Sequence, residues 1–148
     1  MTYRSSWDVL LRVRRGLERQ QELLLQAANG RVAAVQRELD NIQIQIALHN
    51  EREQQQLRSG LSAAELQFDL LCQSTLQARC SAIAVELSDA QAAQRLRAQA
   101  FRRARQEREI LETLQQQRLE LYRRQGARQM QRQLDDLFLL RHAYLSRG

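Results

Sequence analysis

The sequence predicts an all-α fold: two long antiparallel helices forming a coiled-coil hairpin, with the second helix longer and overhanging the first. Three observations predict it. The 148 residues include no proline, only five glycines and 5% aromatics, while Leu, Ala, Gln, Glu and Arg dominate, the profile of long helices and not of a sheet-bearing core. Apolar residues recur by threes and fours over most of the length. Helix punctuation, finally, is concentrated at one place, Arg58-Ser59-Gly60-Leu61-Ser62-Ala63-Ala64-Glu65. There Gly60 can take the positive φ of a helix C-cap at little steric cost. Ser62 and Glu65 have the S-x-x-E spacing of a capping box, in which each side chain satisfies an orphaned backbone N–H. The first helix is expected over about 4–57, the turn over about 58–62 and the second helix over about 63–145, all as one coiled-coil domain.

In the first helix the expected stripe is Leu10, Leu17, Leu24, Ala28, Val32, Val35, Leu39, Ile42, Ile46 and His49. From Val32 onward it alternates strictly by three and four, the seam of a coiled coil. The step from Leu24 to Val35 is longer and reads as a stutter. Asn29-Gly30 sits inside that step. The pair is a turn signal, but the stripe resumes on the same face, so one continuous helix is expected, with a local bend allowed.

After the turn Leu76, Cys80, Ile83, Leu87, Ala90, Phe101, Ala104, Leu111 and Leu114 carry the second stripe, weakened where Gln94 and Arg97 fall on it. Past Arg118 the pattern changes to Leu121, Tyr122, Met130, Leu134, Leu137 and Tyr144. If the chain folds back at Gly60, residue i faces roughly residue 120 minus i, and the second helix runs on alone for about 30 residues, roughly 45 Å. That overhang contains Leu137-Phe138-Leu139-Leu140, which puts apolar side chains on every face of a helix. Either it packs on another protein or it bends back onto the hairpin.

Charge is segregated along the chain. Arg95 to Arg132 holds eleven Arg against four Glu, and Arg4 to Arg19 holds five Arg against two acids. Ala33 to Gln94 holds four Arg against eight acids. Antiparallel pairing places the two basic stretches together, opposite a mildly acidic turn. Solvated i,i+4 pairs such as Glu120–Arg124 account for much of the arginine but not for its segregation. With a net charge of +6, an anionic partner is plausible on electrostatic grounds.

Other chemistries find little support in the residues. There is no Gly-rich phosphate loop and no HExxH. His49 and His142 are far apart in the expected fold, so no metal site is expected, and His49 reads as a seam histidine. Asp135-Asp136 has no His or Cys beside it. Cys72 and Cys80, eight residues apart on one helix, stand about 12 Å apart along its axis, too far for a disulfide. They read as small core residues of a reducing compartment. No apolar run reaches the roughly 18 residues of a membrane span, and the start lacks the apolar core of a signal peptide. The expectation is a cytoplasmic non-enzyme without cofactor. The basic stretches have few interleaved aromatics, so no nucleic-acid partner is expected.

Three blocks resemble the FliJ family of flagellar type III export components, relatives of the YscO-type stalk proteins of injectisomes. Val9-Leu10-Leu11-Arg12-Val13-Arg14 is similar to the family's opening L-L-x-L-R. Ser59-Gly60-Leu61-Ser62-Ala63-Ala64-Glu65-Leu66 is similar to its S-G-I-S-A-A-E-L. Leu111-Glu112-Thr113-Leu114, then Tyr122-Arg123-Arg124, Ala127-Arg128 and Gln133-Leu134-Asp135-Asp136-Leu137 with Arg141, is similar to its closing L-E-x-L … E-Y-R-R … A-R … E-L-D-E-L-A-x-R. The order and spacing hold over nearly the whole chain.

The resemblance implies a soluble stalk that binds the hexameric export ATPase, promotes its ring assembly and links it to the cytoplasmic domain of the export gate. It also implies escort of export chaperones, and association with the inner membrane only through the apparatus. On this chain the ATPase-facing residues would be Leu10, Leu11, Arg12 and Arg14 with Tyr122, Arg123, Arg124, Arg128, Gln133, Asp135 and Asp136. The gate would be met nearer the turn by Asn41, Gln45, Leu48 and Arg52 with Cys72, Leu76, Arg79 and Ile83. Two positions depart from the pattern. Some relatives carry aromatics where Leu48 and Arg52 stand, and a small residue is usual at Phe138. A YscO-like injectisome stalk or a self-associating coiled-coil scaffold are the alternative readings.

Overall fold

A computed structural model describes residues 6–147. It is an all-α hairpin of α1 (Trp7–Ser59) and α2 (Ala63–Ser146), packed against each other. The start expected for α1 near residue 4 lies outside the described residues. At the reversal Gly60 has φ +91°, the left-handed conformation that glycine adopts without a Cβ penalty. The backbone N–H of Glu65 donates to Ser62 Oγ at 3.3 Å, and that of Ser62 donates to Glu65 Oε2 at 3.4 Å. The reciprocal capping box therefore forms as its spacing requires.

Contacts divide the chain into two compact units: residues 19–103, and residues 1–18 with 104–148. The first of these contains the turn and the apolar core. Val35, Leu39, Ile42 and Ile83 are buried there, with Ile46, Cys80 and Leu87 packed against them. α1 is unbroken through Asn29-Gly30, and Asn29 Oδ1 accepts a 2.6 Å hydrogen bond from Gln94 Nε2. Both cysteines are free and half-buried.

The other unit is held differently. Its one buried apolar side chain among the described residues is Leu11, 3% exposed. Leu10 and Leu17, expected on the seam, are 49% and 41% exposed. The positions that turn inward along α1 include Trp7, Leu11, Arg14, Glu18, Gln21, Leu25 and Ala28, continuing to Val32 and Val35. These alternate by fours and threes, and the expected Leu24 is half-buried beside them. The exposure of Leu10 and Leu17 has a geometric reason. A coiled-coil helix keeps to its alternation by threes and fours, and over residues 7–18 that alternation passes through polar residues instead of swerving to follow the nearest leucines. On α2 the same holds at Leu114, which is exposed, while Arg108, Leu111 and Gln115 turn inward.

Polar seam residues need partners; Arg14, Glu18 and Arg108 have them, whereas Gln21 Oε1 is buried with no partner among the described residues. Arg108 Nε and Nη2 donate to the Glu18 carboxylate, and its Nη1 donates to Glu112 at 2.8 Å. Arg14 pairs with Glu107, and Arg15 with Glu112 at 3.1 Å. The Arg108 and Glu18 side chains are only 18% exposed. Hydrogen bonding to Glu18, followed by Glu112, raises the Arg108 pKa above its ordinary value. Hydrogen bonding from Arg15, then Arg108, holds the Glu112 carboxyl below its own. The pairings Asp8 with Gln115 and Asn29 with Gln94 lie within about a helical turn of the register expected from Gly60.

Candidate partner-binding surfaces

The residues expected to face an ATPase fall into two successive groups within one unit. Trp7 lies under the Arg118 guanidinium, 4.7 Å from the ring centroid, and Asp8 meets Gln115. Tyr122, Arg123, Arg124, Arg128, Gln133, Asp135 and Asp136 therefore lie past the first described turn of α1. All seven are exposed. In the other group Leu10 and Arg12 face outward, Leu11 is buried in the seam and Arg14 is engaged by Glu107. Leu11 and Arg14 thus hold the helices together.

From residue 120 to residue 147 every side chain is exposed. Leu137, Phe138, Leu139 and Leu140 are 62–69% exposed, and Tyr144 is 81% exposed. The overhang does not bend back. Its backbone stays helical to Ser146, helped by i,i+4 contacts such as Gln131 Nε2 donating to Asp135 Oδ1 at 3.1 Å. The Phe138 and His142 rings stack, with centroids 6.4 Å apart. Fully burying one such aliphatic or aromatic side chain is worth about 1.5–3 kcal/mol, so this segment holds a large unrealised interaction energy.

The residues expected to meet a gate gather in the other unit. Gln45, Leu48, Arg52, Cys72 and Leu76 line an open groove of about 530 Å³ together with His49, Leu71 and Thr75. Asn41, Gln45, Arg79 and Ile83 line a smaller one beside it, with Glu38 and Ile42. Gln45 belongs to both. His49 contributes a buried Nε2 that has no hydrogen-bond partner among the described residues, a polar atom left at the groove wall. Sequence reasoning omitted Leu71 and Thr75 because they lie off the seam. Neither stands at a place beside the seam, so the apolar pattern carried no signal for them.

No three of His, Cys, Asp and Glu gather as a metal site among the described residues, and no helix there is long and apolar enough to cross a membrane. Compared with protein-family models, curated proteins and solved structures, the chain matches none.

Proposed function

We propose that this chain is a stalk-like coiled coil of a type III protein-export apparatus, of the FliJ kind. In this reading the exposed end of α2 binds and promotes assembly of the hexameric export ATPase. The grooves lined by Gln45 contact the cytoplasmic domain of the export gate, and the protein escorts export chaperones. The observation that carries the reading is the solvent-exposed run Leu137–Leu140 on an uninterrupted helix. A helix that is apolar all round is normally covered, and no described residue of this chain covers it. Arg123, Arg124, Arg128 and Arg132 on the same helix suit an anionic site on the partner. Association with a membrane would follow from the gate and not from a span of this chain.

The test mixes the full chain with the flagellar export ATPase of the same organism and follows ATP turnover and ring formation by sedimentation. The expected result is faster turnover and more hexamer, both lost on changing Arg124 and Arg128 together to Glu or Leu137 to Asp. An ATPase indifferent to the wild-type chain would sink the proposal. Concentration-dependent self-association of the chain, removed by truncation after Gln117, would favour a scaffold that pairs its own overhangs.

A further inference from the structure

Where α2 is paired, carboxylates hold Arg105 and Arg108, those of Glu109 and Glu112 on α2 and of Glu18 on α1. The Arg118 guanidinium lies over Trp7. The next stretch is different. From Leu121 to Leu134 the helix carries Arg123, Arg124, Arg128 and Arg132, four glutamines and no Asp or Glu. All fourteen residues are exposed, and none of these arginines forms an ion pair with a described residue. Glu120 precedes the span, and Asp135 and Asp136 follow it. Asp135 accepts from Gln131. Exposed i,i+4 pairs of Glu120 with Arg124 or of Asp136 with Arg132 would be too weak to hold either arginine against a stronger anion.

The arrangement of the four charges selects the anion. Arg124, Arg128 and Arg132 recur every four residues, about 6 Å apart along the axis, and form one row. Arg123 and Arg132 are nine residues apart, about two and a half turns, so they leave the helix on opposite sides. An acidic patch on a protein, or one acidic helix, meets one side of α2 and leaves the opposite charge in water. Duplex DNA meets both sides. Its major groove, about 12 Å wide, admits a helix of about 10–12 Å diameter between two strands of phosphates. The arc between Arg123 and Arg132 carries Arg124, Ala127 and Gln131, two donors and a small side chain that suit base edges at a groove floor.

We infer that residues 121–134 of α2 bind duplex DNA through its phosphates, lying in the major groove with little choice of sequence. The scarcity of aromatics that argued against nucleic acid bears on single strands, whose bases stack on aromatic side chains. A duplex keeps its bases stacked inside and presents phosphates. Duplex RNA has a major groove too narrow for the helix. The inference does not rest on the export reading, and its assay contains no ATPase.

The probe is a fluorescein-labelled DNA duplex of about two helical turns, titrated with the full chain and followed by fluorescence anisotropy. With three or four phosphates neutralised, affinity is expected to fall about 40- to 150-fold between about 50 and 200 mM salt. Arg123→Gln and Arg132→Gln, on opposite sides of the helix, are each expected to weaken binding and to lower the logarithmic salt slope by about one. Arg52→Gln, at an exposed arginine of the other unit, is expected to change nothing. Glutamine has nearly the helix propensity of arginine, and circular dichroism checks that the helices persist. Unlabelled DNA duplex is expected to displace the probe better than single-stranded DNA, duplex RNA or polyglutamate at equal charge concentration. Absence of salt-sensitive binding overturns the proposal. So does indifference to either Arg123→Gln or Arg132→Gln, which would make the contact one-sided. Displacement by polyglutamate as effective as by DNA would assign the arginines to an acidic protein and overturn it equally, and equal displacement by single strands or duplex RNA would remove the groove.

Discussion

Replacing Gly30 by alanine tests whether α1 is continuous where its sequence most resembles a turn. In the structure Gly30 lies inside α1 without a positive φ, and a Cβ added there would meet no atom within 4 Å. The substitution therefore changes only helix propensity and the freedom of the unfolded chain. Glycine in an exposed helix interior costs about 0.8–1.0 kcal/mol relative to alanine, so Gly30→Ala should stabilise the protein by about that much. With a urea slope of about 1–3 kcal/mol/M, the unfolding midpoint should rise by about 0.3–1 M at unchanged slope. Far-ultraviolet circular dichroism during urea titration measures this. Gly60→Ala is the opposite case, since its site also has room but φ is +91°. An L-residue pays about 1–2 kcal/mol in the left-handed region, and the midpoint should fall. A fall for Gly30→Ala would mean that the Asn29-Gly30 pair turns the chain, and the continuous α1 would be wrong.

Three further outcomes follow from the packing and the charges. Ile42→Ala, in the buried cluster with Val35, Leu39 and Ile83, should cost about 2–5 kcal/mol, whereas Leu139→Ala on the exposed overhang should stay within about 0.5 kcal/mol, both read from denaturant midpoints. Ser62→Ala removes the acceptor for the Glu65 backbone N–H and should cost about 1 kcal/mol, with exchange of the Glu65 amide accelerated in hydrogen-exchange measurements. The Glu112 carboxyl is held below its ordinary value of 4.5 by Arg15 and Arg108. Its stabilisation is therefore fully present above about pH 4.5 and disappears as pH falls through the lower folded value. Thermal melts of wild type and Glu112→Gln should differ near neutrality and converge in acid, and a constant gap down to acid pH would exclude the effect.

The helices and their turn were legible because their causes are local. Gly60, Ser62 and Glu65 act on backbone groups within three residues of themselves, and heptad spacing is a property of one helix at a time. Placing the seam through residues 7–28 was harder. Leu10 and Leu17 outweigh Leu11, Arg14 and Glu18 on any scale of hydrophobicity, so over this stretch the sequence pattern pointed to the wrong stripe, while Leu24 is half-buried as expected. The polar residues become seam-compatible only when Glu107, Arg108 and Glu112 arrive from nearly a hundred residues away to pair with them. The residues expected at a gate line two adjoining grooves. Their neighbours Leu71 and Thr75 are defined by where α2 lies against α1.

The order of elements, the place and chemistry of the reversal and the unequal helix lengths belong to the sequence alone, since each follows from interactions spanning a few residues. Tertiary pairing decided which polar residues along the helices are ion-paired and which leucines stay in water. It also decided that Leu11 is core while Leu10, its neighbour, is surface. Those outcomes depend on the register between two helices, and register is set by the sum of contacts along the whole seam and by no single residue within it.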